Sequence, residues 1–322
     1  MALSVNRRSA SLAGPSTAAK GKYSRRDILD SLELYSLMLL PFIMIAVFSY
    51  LPMLGIVIAF QDYSPANGLL TSSTQWVGMK HFARFINGIY FGRLLGNTLR
   101  LSLMEFLIGF WIPIALALLL NELKAMRFKK VVQTASYMPY FISSVVVAGM
   151  VLSFIRPGGI IDAAAKIMGG SSRDISMDPA AFPWVYVLTM VWKSFGFASI
   201  LYMSTLSSVD TELYEAARID GATRWQQMIH ISLPSIMPVI SIQMILSIGS
   251  LMKSNSDMIL LLYNQSVLST ADTFATYVYR SGLQGNNFSF GTAVGLFSNI
   301  VNILLMIIAN TVSRKANDFS LW

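Results

Sequence analysis

Glu105, Lys193 and Lys253 stand in stretches that are otherwise apolar. A charge in such a stretch is costly, so it either faces water along a solute path or pairs with a neighbouring helix. Both readings are open for Glu105 and Lys193. Lys253 adds a third, a side chain that snorkels from a span end. Further along, Gln243, Ser247, Ser250, Ser254 and Asn255 punctuate an apolar run, with Asp257 just beyond. The first four recur at three- to four-residue spacing, which predicts one polar helical face. Amides and hydroxyls can hydrogen-bond a neutral, hydroxyl-rich solute, and they can equally form a seam against a neighbouring helix. They supply no acid–base pair for catalysis. The chain has no Cys and only two His, His81 and His230, so thiolate chemistry is excluded and little is left for a metal. No phosphate-binding G-x-x-x-x-G-K-[ST] occurs, since Gly21-Lys22 is followed by Tyr23. The chain is therefore expected to hold no catalytic residue, cofactor or metal.

The elements that position these residues follow from composition. Of 322 residues 54% are hydrophobic and 12% charged, about half the roughly 25% charge of soluble domains. So few charges cannot cover a soluble fold of this size. A polytopic, all-α membrane protein is expected. A bilayer core of about 30 Å takes roughly 20 apolar residues, and six such runs occur: 35–61, 101–120, 131–155, 184–206, 231–252 and 288–312. Pro234 and Pro238 should bend the entry of the fifth. The longest outer loop, between Asp62 and Arg100, should hold a short helix around His81 to Ile86. Tyr137, Tyr140, Phe141, Trp184, Trp192, Phe195 and Tyr202 could stack on a solute, form an interfacial belt or pack the bundle. Gly291 and Gly295 form a GxxxG pair.

Lys and Arg in the flanks set orientation. With the N-terminus inside, 14 fall on inner segments and seven on outer ones. Both termini are expected in the cytoplasm. The net charge of +8 then reflects orientation in a lipid bilayer and not a nucleic-acid partner. The organisation expected is a basic cytoplasmic tail over 1–34, a six-helix domain over 35–312 and a cytoplasmic ending over 313–322. The tail, basic and rich in Ser and Ala, is read as disordered; a transit peptide is the alternative. The first run is too long for a signal-peptide core.

The loop between runs four and five, 209–234, carries the strongest local signal. Asp210 is a good N-cap, Thr211 to Asp220 should form a short helix, and Gly221 supplies the left-handed position after it. Thr223 and Gln226 have capping-box spacing, so a second short helix should follow at once. Ala216 and Ala217 let another surface approach closely, with Glu215, Arg218 and Asp220 at its edge. The hairpin is either a docking site or a helix pair resting on the membrane interface.

Glu215-Ala216-Ala217, three residues, Gly221, nine residues, Ile231, one residue and Leu233-Pro234 fill every fixed position of the EAA motif. The chain thus resembles the inner-membrane permease subunits of bacterial binding-protein-dependent ABC importers. LPFIMIAVFSYLPMLGIVIAFQDY, NTLRLSL, LALLLNEL, LLYNQ, STADTFATYVYR and SRKANDFSLW are similar to the carbohydrate-uptake branch, in particular to multiple-sugar or polysaccharide-oligosaccharide permeases. The resemblance implies a type I importer permease fold in the bacterial cytoplasmic membrane. It implies that Glu215, Ala216, Ala217, Asp220, Gly221, Leu233 and Pro234 couple the chain to an ATPase. Glu215 would pair with a basic group there, the two Ala would make the contact and Gly221 the turn. The partners implied are a second homologous permease, two ATP-binding subunits holding ATP-Mg and an extracytoplasmic sugar-binding protein. The substrate path is expected at Gln243, Ser247, Ser250, Ser254, Asn255, Glu105 and Lys193. The alternatives are an ABC permease for a non-sugar solute and a stand-alone secondary transporter. The latter would need inverted repeats and broken helices.

Overall fold

The computed structural model describes residues 25–66, 68, 71 and 74–317. The tail before residue 25 and the SLW ending lie outside them. No strand is present among the described residues, only one isolated bridge between Gln61 and Trp76. Among the described residues six helical segments are long and apolar enough to cross a membrane: Tyr35–Phe60, Phe91–Glu122, Ser144–Ile167, Phe182–Ser207, Arg224–Ile248 and Phe288–Lys315. The chain divides into two compact units at Gly55.

In the first unit, α1 (Arg25–Ile45) widens into a π-helical turn over Ala46–Tyr50, where Leu51 N–H bonds Ala46 O. Pro41 and Pro52 flank this turn, and each removes a backbone donor from the helical ladder.

The second unit begins in a 3-10 turn and holds the remaining helices. The short helix expected near His81 is α2 (Lys80–Ile86). The second span starts ten residues before the apolar run, as α3 (Phe91–Gly109), and continues after a joint at Phe110 as α4 (Trp111–Glu122). Pro113 causes the joint, because it has no N–H for the carbonyl of Gly109.

The apolar run 131–155 is not one helix. It is split into α5 (Met126–Phe141) and α6 (Ser144–Ile155) by extended backbone at Ile142 and Ser143. Pro139 near the end of α5 withholds a donor, and the Ser143 side chain caps α6 by accepting from Val146 N–H at 3.4 Å. Apolarity alone could not reveal a break made by one Pro and one capping Ser. A short α7 (Ile160–Ile167) follows before α8 (Phe182–Ser207).

Past α9 (Thr211–Ile219), the second predicted short helix is the entrance of span five itself. Arg224–Gln227 runs through a π-helical turn at Met228–Ser232 into α10 (Leu233–Ile248). Pro234 cannot donate to His230 O, and Leu233 N–H reaches back to Met228 O, so the ladder widens at this entrance. α10 stops at Ile248, four residues short of the apolar run. α11 (Ser256–Leu262), a series of short helical turns between Gln265 and Gln284 and the long α12 (Phe288–Asn317) complete the unit.

α8 is the central helix. Its Tyr186 and Val187 pack with Leu101 of α3, Val147 of α6 and Met258 and Ile259 of α11. Tyr202 and Leu206, near its other end, pack with Phe110, Ile114 of α4 and Ile236 and Ile240 of α10. Between helices in lipid, close approach replaces the hydrophobic drive. At Gly196 of α8 an added Cβ would lie 2.0 Å from the Ser136 carbonyl oxygen of α5. Gly291 touches Gly282 in the same manner, whereas a Cβ at Gly295 would meet nothing within 4 Å, so only one half of the GxxxG pair is a contact. At the end of the bundle opposite α9, loops are stitched by side chains. Asn97 donates to Ser269 O at 2.9 Å and Asp272 O at 3.0 Å, Asn264 to Ser176 O at 2.8 Å and Thr270 to Pro179 O at 2.7 Å.

Candidate functional site: coupling hairpin and transmembrane cleft

The hairpin between spans four and five is built as its residue types dictate. Asp210 accepts from Glu212 N–H at 3.0 Å and starts α9. At the other end Gly221 has φ +81°, Ala222 N–H bonds Ala217 O at 2.8 Å and Gly221 N–H bonds Arg218 O at 3.1 Å. That is a Schellman turn, and it satisfies two end carbonyls of α9. The capping box closes immediately afterwards. Thr223 Oγ1 accepts from Gln226 N–H at 3.3 Å, and Gln226 Oε1 accepts from Thr223 N–H at 2.7 Å. Gln227 Nε2 donates to Ala222 O at 3.0 Å and holds the turn from behind.

Both ends of α9 are thus closed by hydrogen bonds. Glu215 and Ala216 are exposed, and Ala217 is half-buried. Ala217, Asp220, Gly221, His230 and Ile231 surround a hollow of about 280 Å³. Ile219 is 87% and Trp225 65% exposed, so an apolar surface lies open beside the Ala pair. Sequence reasoning did not single out Trp225 as part of that surface. It also missed the link behind it, a 2.9 Å hydrogen bond between the Tyr214 hydroxyl and Ser232 Oγ. Ser232 is fully buried in the π turn. Tyr214 therefore joins the hairpin to the root of span five at the segment that ends in Leu233 and Pro234.

The polar residues of the spans divide into two sets. Glu105, Gln243, Ser247, Ser250 and Lys253 line one open cleft of about 650 Å³, walled by Phe106, Phe197 and Tyr202. Lys193, Ser254 and Asn255 do not line it. The single helical face predicted for Gln243, Ser247, Ser250 and Ser254 is absent, because the helix ends between Ser247 and Ser250. Ser250 Oγ turns back to Ser247 O at 2.9 Å, and Met252 N–H leaves the ladder for Asn302 Oδ1 of α12 at 2.8 Å. The ladder has already shortened at Ser250 and Leu251, and Asn302, buried in a charge-free run, takes up the Met252 N–H just beyond; nothing around Asn302 in sequence signals that contact.

Asn255 caps α11 by accepting from Met258 N–H at 3.0 Å. Its own N–H donates to the Tyr186 hydroxyl at 3.1 Å, and that hydroxyl donates to Glu105 at 2.9 Å. Lys193 donates to Ser144 Oγ at 2.9 Å, at the start of α6. It thus serves the break in span three and forms no ion pair with Glu105. Of the aromatics, Tyr140 stacks on Phe197 with centroids 3.9 Å apart.

At the far end, away from the hairpin, Lys80 donates to Asp62 at 2.7 Å and holds its carboxyl below the usual range. Buried Asp272 accepts from Arg280 at 2.7 Å, which pushes that guanidinium still higher.

A membrane chain of this architecture, with the EAA hairpin at one end and a cleft beside span five, has a counterpart in sequence space. Residues 86–318 match the model of the binding-protein-dependent transport system inner membrane component. The chain belongs to that family. The permease is 41% identical over 294 residues to the polygalacturonan/rhamnogalacturonan transport system permease protein YteP of Bacillus subtilis, covering 90% of each chain. It is 37% identical to protein LplB of the same organism, over 95% of this chain and 96% of that one. Among solved structures it superposes with a TM-score of 0.82 and 36% identity on a chain of a bacterial ABC transporter that imports the acidic polysaccharide alginate, covering 91% of this chain and 98% of that one. The six-span architecture is therefore that of an ABC importer permease, and the permease reading extends to carbohydrate import. Permeases of this family are not themselves enzymes.

Proposed function

We propose that this permease forms one half of the translocation path of an ATP-driven oligosaccharide importer in a bacterial cytoplasmic membrane. The observation that carries the reading is the hairpin, a short helix locked at both ends and hydrogen-bonded through Tyr214 to the root of span five. Such a helix passes on a push without absorbing it. The push comes from ATP-binding subunits that hold ATP-Mg beneath a pair of permeases, two of them in this reading. The charge bias supports placing the hairpin and both termini in the cytoplasm. A sugar-binding protein then docks at the opposite end, in keeping with the alginate importer solved together with a pentasaccharide-bound periplasmic protein, to whose permease chain this one is similar with a TM-score of 0.83. The relatives handle polygalacturonan, rhamnogalacturonan and alginate, and we extend the acidic oligosaccharide class to this chain. Glu105, Gln243, Ser247 and Ser250 line the path in this reading, with Lys253 at its rim. Lys193, Ser254 and Asn255 shape the bundle.

The test is capture of the assembly from native membrane through this chain, followed by uptake in vesicles. A second permease and an ATPase should copurify, and ATP should drive entry of an oligouronate. A chain that purifies alone and moves sugar without ATP would refute the reading. Orientation is checked separately on this naturally Cys-free chain. Ser172→Cys and Glu212→Cys should label from opposite faces, the first from outside.

A further inference from the structure

Three arginines at the far end of the second unit lie over three neighbouring aromatic rings. Arg93 Cζ is 4.9 Å from the Tyr90 centroid, Arg280 Cζ 5.7 Å from Tyr277 and Arg84 Cζ 4.9 Å from Phe290. The rings themselves are continuous, with Tyr90 6.1 Å from Tyr277 and Tyr277 6.0 Å from Phe290. One acid sits among them. Oδ2 of Asp272 accepts from Arg280 at 2.7 Å and, more weakly, from Arg93 at 3.4 Å, while Oδ1 takes the Thr276 hydroxyl at 3.1 Å. Arg84 has no ion pair among the described residues. Two guanidinium groups thus share one carboxylate, and the third stands on the adjoining ring without one.

Holding Asp272 in place needs one arginine. Half-buried Arg93 adds a second positive charge to the one carboxylate and exposed Arg84 adds a third, so the patch carries surplus positive charge that an anion would offset. Arg93 Nε and Arg280 Nη1 are buried without a hydrogen-bond partner, so part of this donor capacity is already unspent inside. The side chains of Arg93 and Arg280 remain 36% and 32% exposed, which leaves other donors of each fork open. A planar fork fixed on a ring matches a carboxylate in two parallel hydrogen bonds, and the adjoining ring faces offer a surface to sugar C–H groups. We propose that this patch binds the carboxylates of a uronate-containing oligosaccharide as it leaves its carrier for the path between permeases. The direction of travel rests on the importer reading above; the binding chemistry does not.

The double variant Arg84→Gln, Arg93→Gln removes the surplus charge and keeps the 2.7 Å Arg280–Asp272 pair. The captured assembly in lipid nanodiscs is titrated with trigalacturonate and, in parallel, with the same trimer after reduction of its carboxyls to alcohols. Subunit composition and unfolding midpoint of the variant are checked against the parent. Affinity for the acidic trimer should fall about tenfold in the variant, the scale of one charge-assisted contact, while the reduced trimer binds both assemblies alike. Unchanged binding of trigalacturonate by the variant, or no binding by the parent, would overturn the proposal. So would weaker docking of the sugar-binding protein with trimer affinity intact, since the patch would then recognise protein carboxylates. ATP-driven uptake by the parent is scored independently, so failed import and a silent patch give different results.

Discussion

The hydroxyl of Tyr186 donates a 2.9 Å hydrogen bond to Oε2 of Glu105. The phenol oxygen of Tyr186 also accepts the backbone N–H of Asn255 at 3.1 Å, so one phenol on the central helix joins the cleft-lining acid of α3 to the break after α10. Tyr186→Phe removes both bonds. An interhelical hydrogen bond in a bilayer averages only about 0.6 kcal/mol, yet two part-buried groups lose their partner here, one of them a carboxyl group. The expected loss is about 1–3 kcal/mol, read as a lower unfolding midpoint in detergent. Glu105→Gln keeps an acceptor for the phenol and should leave the midpoint nearly unchanged. A parental midpoint for Tyr186→Phe would dissolve the link.

The hairpin makes a graded prediction. Gly221 holds φ +81°, and a Cβ there would meet nothing within 4 Å, so Gly221→Ala carries only the conformational penalty of about 1–2 kcal/mol. Gly221→Pro cannot reach that φ and also loses the N–H bonded to Arg218 O. Uptake and ATPase copurification should survive the first change and fail with the second, with the protein still in the membrane. Glu215→Lys should fail similarly by reversing the charge on an exposed edge. Equal uptake by all three variants would remove the hairpin from the coupling path.

The hairpin was legible because each of its signals is local. A cap, a positive-φ glycine and a capping box act over three or four residues, and Asp210, Gly221 and Thr223 all do what their types dictate. The six spans were legible because a lipid core imposes a long apolar run on any sequence that crosses it. The breaks were not. Span three is split by Pro139 and Ser143, and past the end of span five the Met252 N–H is taken by Asn302, 50 residues further along the chain. Apolar periodicity carries no information about a hydrogen bond to a distant helix. Asn255, read as a path residue, also caps α11, and Lys193 donates to Ser144 outside the cleft.

Helix approach gives a contrast between two glycines. A methyl group at Gly196 would sit 2.0 Å from the Ser136 carbonyl oxygen and 2.3 Å from its carbon, all backbone. Neither α5 nor α8 can yield by rotating a side chain, so Gly196→Ala should cost more than the usual 1–3 kcal/mol or so of overpacking. Gly295→Ala meets open space and should gain slightly through helix propensity. Membrane-inserted yield and unfolding midpoint report both. If Gly196→Ala matched the parent, the tight crossing of α5 and α8 would be wrong.

The last prediction separates path from scaffold at span five. Gln243 is half-buried on the cleft wall, and its side chain enters no hydrogen bond among those described, so it is open to a passing hydroxyl. Gln243→Leu fills nearly the same volume without donors or acceptors. It should leave the unfolding midpoint and basal ATPase activity at parental values and slow uptake several-fold, as loss of one neutral hydrogen bond worth about 0.5–1.5 kcal/mol requires. Asn255→Leu works through structure instead. It deletes the cap of α11, worth about 1 kcal/mol, and loosens the backbone that meets Tyr186, so uptake should fall together with the midpoint. Joining the two changes in one variant would blur this difference, which is why they are compared singly, with Ser247→Ala as a second cleft change of small volume. Parental uptake of every tested oligosaccharide by both Gln243→Leu and Ser247→Ala would make the polar wall of the cleft a packing seam.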